Sequence, residues 1–321
     1  MKKPLSLLII SLFFVSCTKD DLPDLDFKQE MRDFVIGISQ YGRSIDPDFI
    51  IISQNGVELV SSTGDEGGSA DAAYSSAIDG NGQEDLFYGY DRDDKATSSS
   101  DRSYLMTFLN MSKNAGNTIL VTDYCSTHSN MDDSYIKNNA AGYIAFAANE
   151  RELNNIPVYP NPIYGENNEI ITGLSDIKNF LYLINPENFI SKSAFINAVT
   201  ATNYDLLIMD LFFGEGTEFT SDEISQLKNK TNGGKRLVIS YMSIGEAEDY
   251  RYYWLTAWEP DNPSWIDEEN PHWAGNYKVK YWEKAWQDII FGNDSSYLKK
   301  ILDAGFDGVY LDIIDAFEYY E

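Results

Sequence analysis

Short apolar runs alternate with helical patterns along most of this 321-residue chain, and that alternation constrains the fold more than any single motif. Nine runs read as strands: Phe49 to Ile52, the acid-bearing region Ala77 to Gly80 with Glu84 to Gly89, Ile119 to Asp123, Tyr143 to Ala147, Asn179 to Ile184, Tyr204 to Asp210, Leu237 to Met242, Lys278 to Trp282 and Val309 to Leu311. Helices are expected between most of them. Met31, Phe34, Val35, Ile38 and Tyr41 recur at helical spacing, Tyr104 to Leu109 carry a second helix, Met131 to Ala140 ends at Gly142, and Thr220 with Glu223 makes a capping box. One helix is expected through Ile289, Ile290, Leu298, Ile301 and Leu302. This is the α/β pattern of a parallel sheet closed as a (β/α)8 TIM-like barrel, with Lys278 to Trp282 the surplus strand. Barrel chains normally begin with a strand and end with a helix, whereas this one does the reverse. A closed barrel opened between strand and helix leaves that arrangement, so a circular permutation is expected, with the Pro-, Asn- and Gly-rich linker at about 154–175 joining the old ends.

The first 16 residues read as a secretion signal, with Lys2 and Lys3 before the apolar run Leu5 to Val15, which is too short to span a membrane. Phe14-Val15-Ser16-Cys17 resembles the bacterial lipoprotein box, which implies that Cys17 carries lipid and that residues 17–26 tether the barrel to the cell envelope, outside the cytoplasm. Cys125 is then the second and last cysteine, so no structural disulfide is expected.

A net charge of −27 argues against a nucleic-acid partner, whose phosphates would be repelled, and favours a neutral or cationic ligand. With only His128 and His272 there is no three-histidine zinc set, and the chain has no G-x-S-x-G, G-x-G-x-x-G or Walker pattern, so neither a metal nor a cofactor is expected. The acidic stretch 90–101 fails the calcium-loop pattern at Ala96 and Arg102 and reads as a solvated loop. Carboxylates behind apolar runs are the remaining chemical resource: Asp123, Asp210, Asp312 and Asp315 follow such runs, Glu84 lies in the Asp79 to Tyr88 segment, and Glu246 and Glu248 follow the Leu237 to Met242 run. Converging on one face of a barrel, they could supply the acid and the nucleophile or base of glycoside hydrolysis, or bind a metal or a cationic ligand. For Asp312 and Asp315 alone, a helix cap and a solvated acid remain the alternative. All six Trp fall between 254 and 286, mostly in the long segment 243–277, as sugar-stacking faces or as an aromatic mini-core.

The stretches YDLLIMD at 204–210, SYMSIGEAEDYR at 240–251, GFDGVYLDIIDAFEYY at 305–320, FIIISQNGVEL at 49–59 and IDGNGQEDLFYG at 78–89 together resemble glycoside hydrolase family 114, the endo-α-1,4-polygalactosaminidase-type barrels. In the family the last two stretches follow the GFDGVYLD element, whereas here they precede it, in line with a permuted order. The resemblance implies a catalytic pair, Asp312 and Glu84, with Asp315, Asp210, Tyr241, Glu248 and Arg251 as substrate contacts, joined by Tyr88 and Asp123. It also implies a polysaccharide substrate with amino sugars, cationic where they are galactosamine. This chain has Ile313 where the family's best-described branch has Asn, and Leu311 where it has Pro. The competing expectation is a surface lipoprotein that captures glycans on the same scaffold without cleaving them.

Overall fold

The structure, a computed structural model, describes residues 22–214 and 216–321. The expected signal segment, Cys17 and the first half of the 17–26 tether lie outside the described residues. The described residues form thirteen strands and nine α-helices in chain order. They are α1 (Phe27–Ile45), β1 (Ile50–Gln54), α2 (Ala72–Ala77), β2 (Gly80–Glu84), α3 (Ser99–Asn114), β3 (Thr118–Tyr124), α4 (His128–Ala141), β4 (Ile144–Ala148) and β5 (Phe180–Tyr182). Then come α5 (Lys192–Thr200), β6 (Leu206–Asp210), the hairpin β7 (Phe212–Phe213) and β8 (Thr217–Glu218), α6 (Ser221–Leu227) and β9 (Leu237–Ser243). The chain continues through β10 (Glu246–Glu248), β11 (Ile266–Glu269), β12 (Asn276–Val279), α7 (Lys284–Ile290), α8 (Tyr297–Ala304), β13 (Gly308–Asp312) and α9 (Phe317–Tyr320).

Eight strands form one parallel sheet in the order β4-β3-β2-β1-β13-β9-β6-β5, a nearly closed α/β barrel of the TIM type. Chain order runs around the ring, and β13 pairs with β1 rather than ending at a free edge. The remaining seam, between β4 and β5, has no ladder and is filled by Phe146 against Phe180, with ring centroids 5.7 Å apart. Residues between β4 and β5 form no α-helix; the segment is a strap whose Ile171 and Leu174 are buried and whose Ile170 bridges to Lys235. On the opposite side α1 occupies the outer layer between β13 and β1, with Phe27 against Tyr320 and Phe34 against Phe291.

Sequence expectation and structure part in three places. The acid-bearing strand is Gly80–Glu84, not Glu84 to Gly89, so Glu84 stands at its C-terminal end rather than its start. A strand written Gly-Asn-Gly-Gln-Glu has no β-branched signal; its reason is steric, since a Cβ on Gly82 would lie 1.9 Å from the Tyr310 hydroxyl. The helix expected through residues 289–302 is two, α7 and α8, parted at Gly292 with φ 97°. Finally, residues 243–279 are not a bare loop: β10, β12 and β11 make a small antiparallel sheet, which takes the start of the surplus ninth run.

Acids also sit at the N-terminal ends of the strands, where they hold the barrel together. Asp79, Asp205 and Asp307, each immediately before a strand, accept the backbone N–H of Ile51, Lys178 and Val238 and pair with Arg43, Lys230 and Lys228 respectively. The Asp205–Lys230 pair is fully buried at 2.5 Å, and Asn167 of the strap bonds to both partners. Breaking a buried pair leaves an uncompensated charge. Lys230→Met is therefore expected to cost about 3–5 kcal/mol in urea unfolding; a loss under about 0.5 kcal/mol, the range of ordinary surface changes, would contradict this role.

Candidate active site

The C-terminal ends of the strands surround a cavity of about 350 Å³. Its wall takes Gln54 from β1 and Asn55 just after it, Glu84 from β2, Tyr124 from β3, Tyr182 from β5, Asp210 from β6, Tyr241 from β9 and Asp312 from β13. This is the face on which barrels of this class carry chemistry. Glu246 and Glu248 of β10 join it, with Asp315, Arg251, Arg151 and Trp273 from segments that follow the strands. Of the nine site residues named with the family resemblance, seven line this cavity: Asp312, Glu84, Asp315, Asp210, Tyr241, Glu248 and Arg251.

Tyr88 and Asp123 are not among its lining residues. Asp123 is fully buried, accepting the N–H groups of Phe87 and Tyr88, the Ser134 hydroxyl and the Asn138 amide; it ties the loop after β2 to α4. Tyr88 donates its hydroxyl to Asp133, at 2.5 Å. An acid behind an apolar run marks a strand end, but whether it faces the barrel mouth or the helix layer depends on one residue of register.

Glu84 and Asp312 flank β1, which pairs with both their strands, so their backbones stand two strands apart, about 10 Å at ordinary strand spacing. Glu84 is held by the Tyr124 hydroxyl on one carboxylate oxygen and the Asn55 amide, at 3.2 Å, on the other. The Asn55 side-chain oxygen accepts the Glu84 N–H at 3.1 Å, closing a reciprocal pair. Asp312 accepts the Tyr241 hydroxyl at 2.6 Å. Burial, with the Glu84 and Glu248 charges adding to it against that hydrogen bond, pushes the Asp312 carboxyl up to about 7. Asp315, one turn on, is pushed up to about 8 by burial and by Asp312 and Glu318.

On the far wall Arg251 grips two acids. Its terminal nitrogens donate to both Asp210 oxygens, at 3.0 and 2.7 Å, and its Nε to Glu248 at 2.5 Å, while the Tyr250 hydroxyl takes a Glu248 oxygen at 2.6 Å. Bidentate geometry of this kind fixes orientation as well as charge. Even so, burial raises the Asp210 pKa against the pull of Arg251.

Sequence reasoning missed Asn55, Tyr124, Gln54, Tyr182 and Arg151. Arg151, from the strap's entry, lies 3.9 Å over the Tyr124 ring and forks onto Asp85 at 2.9 and 3.2 Å. Nothing local in the sequence marks these residues; only strand-end position does. The tryptophans divide: Trp254, Trp258, Trp265 and Trp286 pack in a chain of rings 5.0–5.5 Å apart and Trp282 against Tyr320 at 4.7 Å, while Trp273 alone lines the cavity, 56% exposed. Ile313, beside Asp312, has φ 58° and ψ 36°, a left-handed conformation that a β-branched residue adopts only under strain and that Asn tolerates far better. Among the described residues no group of three or more His, Cys, Asp or Glu is placed to hold a metal ion.

Residues 186–320, which carry β6, β9, β13 and the antiparallel side sheet, match the model of glycoside-hydrolase family GH114. This match covers less than half of the chain. The chain is also similar to an uncharacterized protein of Methanocaldococcus jannaschii, 42% identical over 160 residues covering 48% of this chain and 42% of the relative. Uncharacterized proteins of Thermotoga maritima, 38% identical over 122 residues (38% and 36% of the two chains), and Deinococcus radiodurans, 36% identical over 126 residues (39% and 38%), are similar too. The matches thus span well under half the length of these relatives. Asp210, Tyr241, Glu248, Arg251, Asp312 and Asp315 fall inside the family segment, and Glu84 outside it.

The raised carboxyls of Asp312 and Asp315 set a pH dependence. A carboxyl whose folded pKa lies above its unfolded value stabilises the fold fully below the unfolded pKa, and that contribution is lost as pH rises through the folded pKa. For Asp312 and Asp315 the window runs from roughly pH 4 to pH 8. The double variant Asp312→Asn/Asp315→Asn is expected to be more stable than the wild type in urea at pH 9, by roughly 1–4 kcal/mol, with the gap closing by pH 4. A gap independent of pH would contradict the burial of these charges.

Proposed function

We propose that this protein is a glycoside hydrolase that cleaves an α-linked polysaccharide containing amino sugars, with Asp312 and Glu84 as its carboxylate pair. The carrying observation is that these two residues, one within the family segment and one from the other half of the ring, line a single cavity at the C-terminal end of the barrel. Glycoside hydrolysis needs two carboxyl groups flanking the scissile bond, one to move a proton to and from the glycosidic oxygen, the other as nucleophile or base. A carboxyl pushed up to about 7 is poised to exchange a proton at neutral pH, where general acid–base work is most effective. Tyr241 holds Asp312, and Tyr124 with Asn55 holds Glu84, so neither has to be ordered during the reaction.

A cationic galactosamine polymer suits a wall carrying Glu84, Glu246, Glu248, Asp210, Asp312 and Asp315 against two arginines, both already paired. In this reading the lipid on Cys17 keeps the enzyme on the envelope, facing outside the cytoplasm. A circular permutation accounts for the ring's two irregularities together: the helix-free strap lies where ends would have been joined, and α1 supplies the outer layer of the opened unit.

The test is release of reducing ends from a glycan panel that includes partly deacetylated α-1,4-galactosamine polymers. Asp312→Asn and Glu84→Gln should each lower turnover by about 10²–10⁴-fold while substrate binding persists. Wild type that binds these glycans but releases no ends from any of them would make the protein a glycan-capture module instead.

A further inference from the structure

Trp254, Trp258, Trp265, Trp282 and Trp286 each pack against another ring. Trp273 does not. Among the described residues its indole has neither a ring partner nor a hydrogen bond, yet it lines the cavity that holds Glu84 and Asp312.

The segment that carries it is braced. Between β11 and β12 the Asn270 N–H donates to the Asn276 carbonyl at 2.7 Å, the Trp273 N–H to the Asn270 carbonyl at 3.3 Å, and the Asn276 N–H to the Trp273 carbonyl at 3.1 Å. Glu246, 4% exposed, accepts the side-chain amides of Asn270 and Asn276, at 2.8 and 3.4 Å, one on either side of this tip. Glu246 opens β10, and two residues earlier the Ile244 N–H donates to the Asp312 carbonyl at 3.1 Å. Hydrogen bonds thus tie the tip to the strand that ends in Asp312, and the Trp273 backbone is placed before any ligand arrives.

A side chain presented in this way loses little freedom on binding, because tryptophan has two rotatable bonds and its backbone is already ordered. Its flat apolar face matches the C–H face of a pyranose, and the indole N–H offers a donor to the ring's oxygens.

We propose that Trp273 is a platform on which a pyranose ring of the polysaccharide stacks, in the same cavity as the carboxylate pair. The assignment rests on the hydrolase reading and deepens it: the antiparallel side sheet carries the sugar-binding face, while the barrel strands carry the carboxylates.

The experiment titrates Asp312→Asn, with and without Trp273→Phe, with a partly deacetylated α-1,4-galactosamine octamer while tryptophan emission is followed, and compares the turnover of wild type, Trp273→Phe and Trp273→Ala. Binding should move the emission of Asp312→Asn to shorter wavelength and leave that of the Trp273→Phe form in place. In turnover Trp273→Ala should raise KM about tenfold at unchanged kcat, and Trp273→Phe, which keeps a ring, should raise it less. The Trp273 side chain is 56% exposed, so neither variant removes core packing. Octamer binding that leaves the emission unmoved, or a Trp273→Ala protein with the KM of wild type, would overturn the platform. The expected emission shift in a protein whose wild type releases no reducing ends would instead defeat the hydrolase reading and keep the platform. Failure to bind any glycan of the panel would overturn both.

Discussion

Arg251 is the interaction on which the mouth of this barrel depends. Parallel strands all deliver their C-terminal ends to one face, and in this chain several of those ends carry acids. Without a guanidinium between Asp210 and Glu248, two further carboxylates would face Asp312, Asp315 and Glu84 with nothing to offset their repulsion. With it, one wall of the cavity becomes a hydrogen-bonded clamp in which one guanidinium offsets part of the charge of two carboxylates, and among the described residues the opposite wall's acids form no ion pair. The division of labour follows from that one residue: the clamp side holds the guanidinium against the Phe212 and Tyr250 rings, the acidic side presents Asp312 and Glu84.

Pairing with a cation is also what separates the acids at the two ends of the barrel. At the N-terminal end Asp79, Asp205 and Asp307 each meet a cation and a backbone N–H, and they serve the fold. At the C-terminal end Asp312 and Asp315 have no cation partner among the described residues; burial first, and then neighbouring carboxylates, Glu84 and Glu248 for Asp312 and Asp312 and Glu318 for Asp315, make their charged forms costly. Stability is therefore given up where proton affinity is gained, as expected where a site rather than a core is being built. The strained Ile313 belongs to the same place, its carbonyl close enough to Gly245 that a Cβ there would lie 2.0 Å from it.

Much of this was legible in the sequence because barrel strands buried on both faces are continuous apolar runs, as in Leu206–Asp210 and Leu237–Ser243. Capping signals were equally readable: the Thr220–Glu223 box and left-handed Gly142 stand where expected. The strand Gly80–Glu84 was misplaced because its residues are chosen to make room for Tyr310, a tertiary demand that leaves no local pattern. The site was legible where a family motif or an acid behind a run announced it. Asn55, Tyr124 and Arg151 were not, because their importance comes from contact with Glu84 and with each other. Asp123 failed for the converse reason, an acid with the right local signature on the wrong side of its strand.

The central claim is that Asp312, held by Tyr241 and pressed by Glu84, is the proton-exchanging carboxyl of the site. The pH profile of kcat/KM measures it directly. One ionisation near pH 7 is expected in the wild type, and because the Tyr241 hydroxyl favours the charged form, Tyr241→Phe should move that ionisation upward. A profile without an ionisation near 7, or one that Tyr241→Phe leaves in place, would contradict the account.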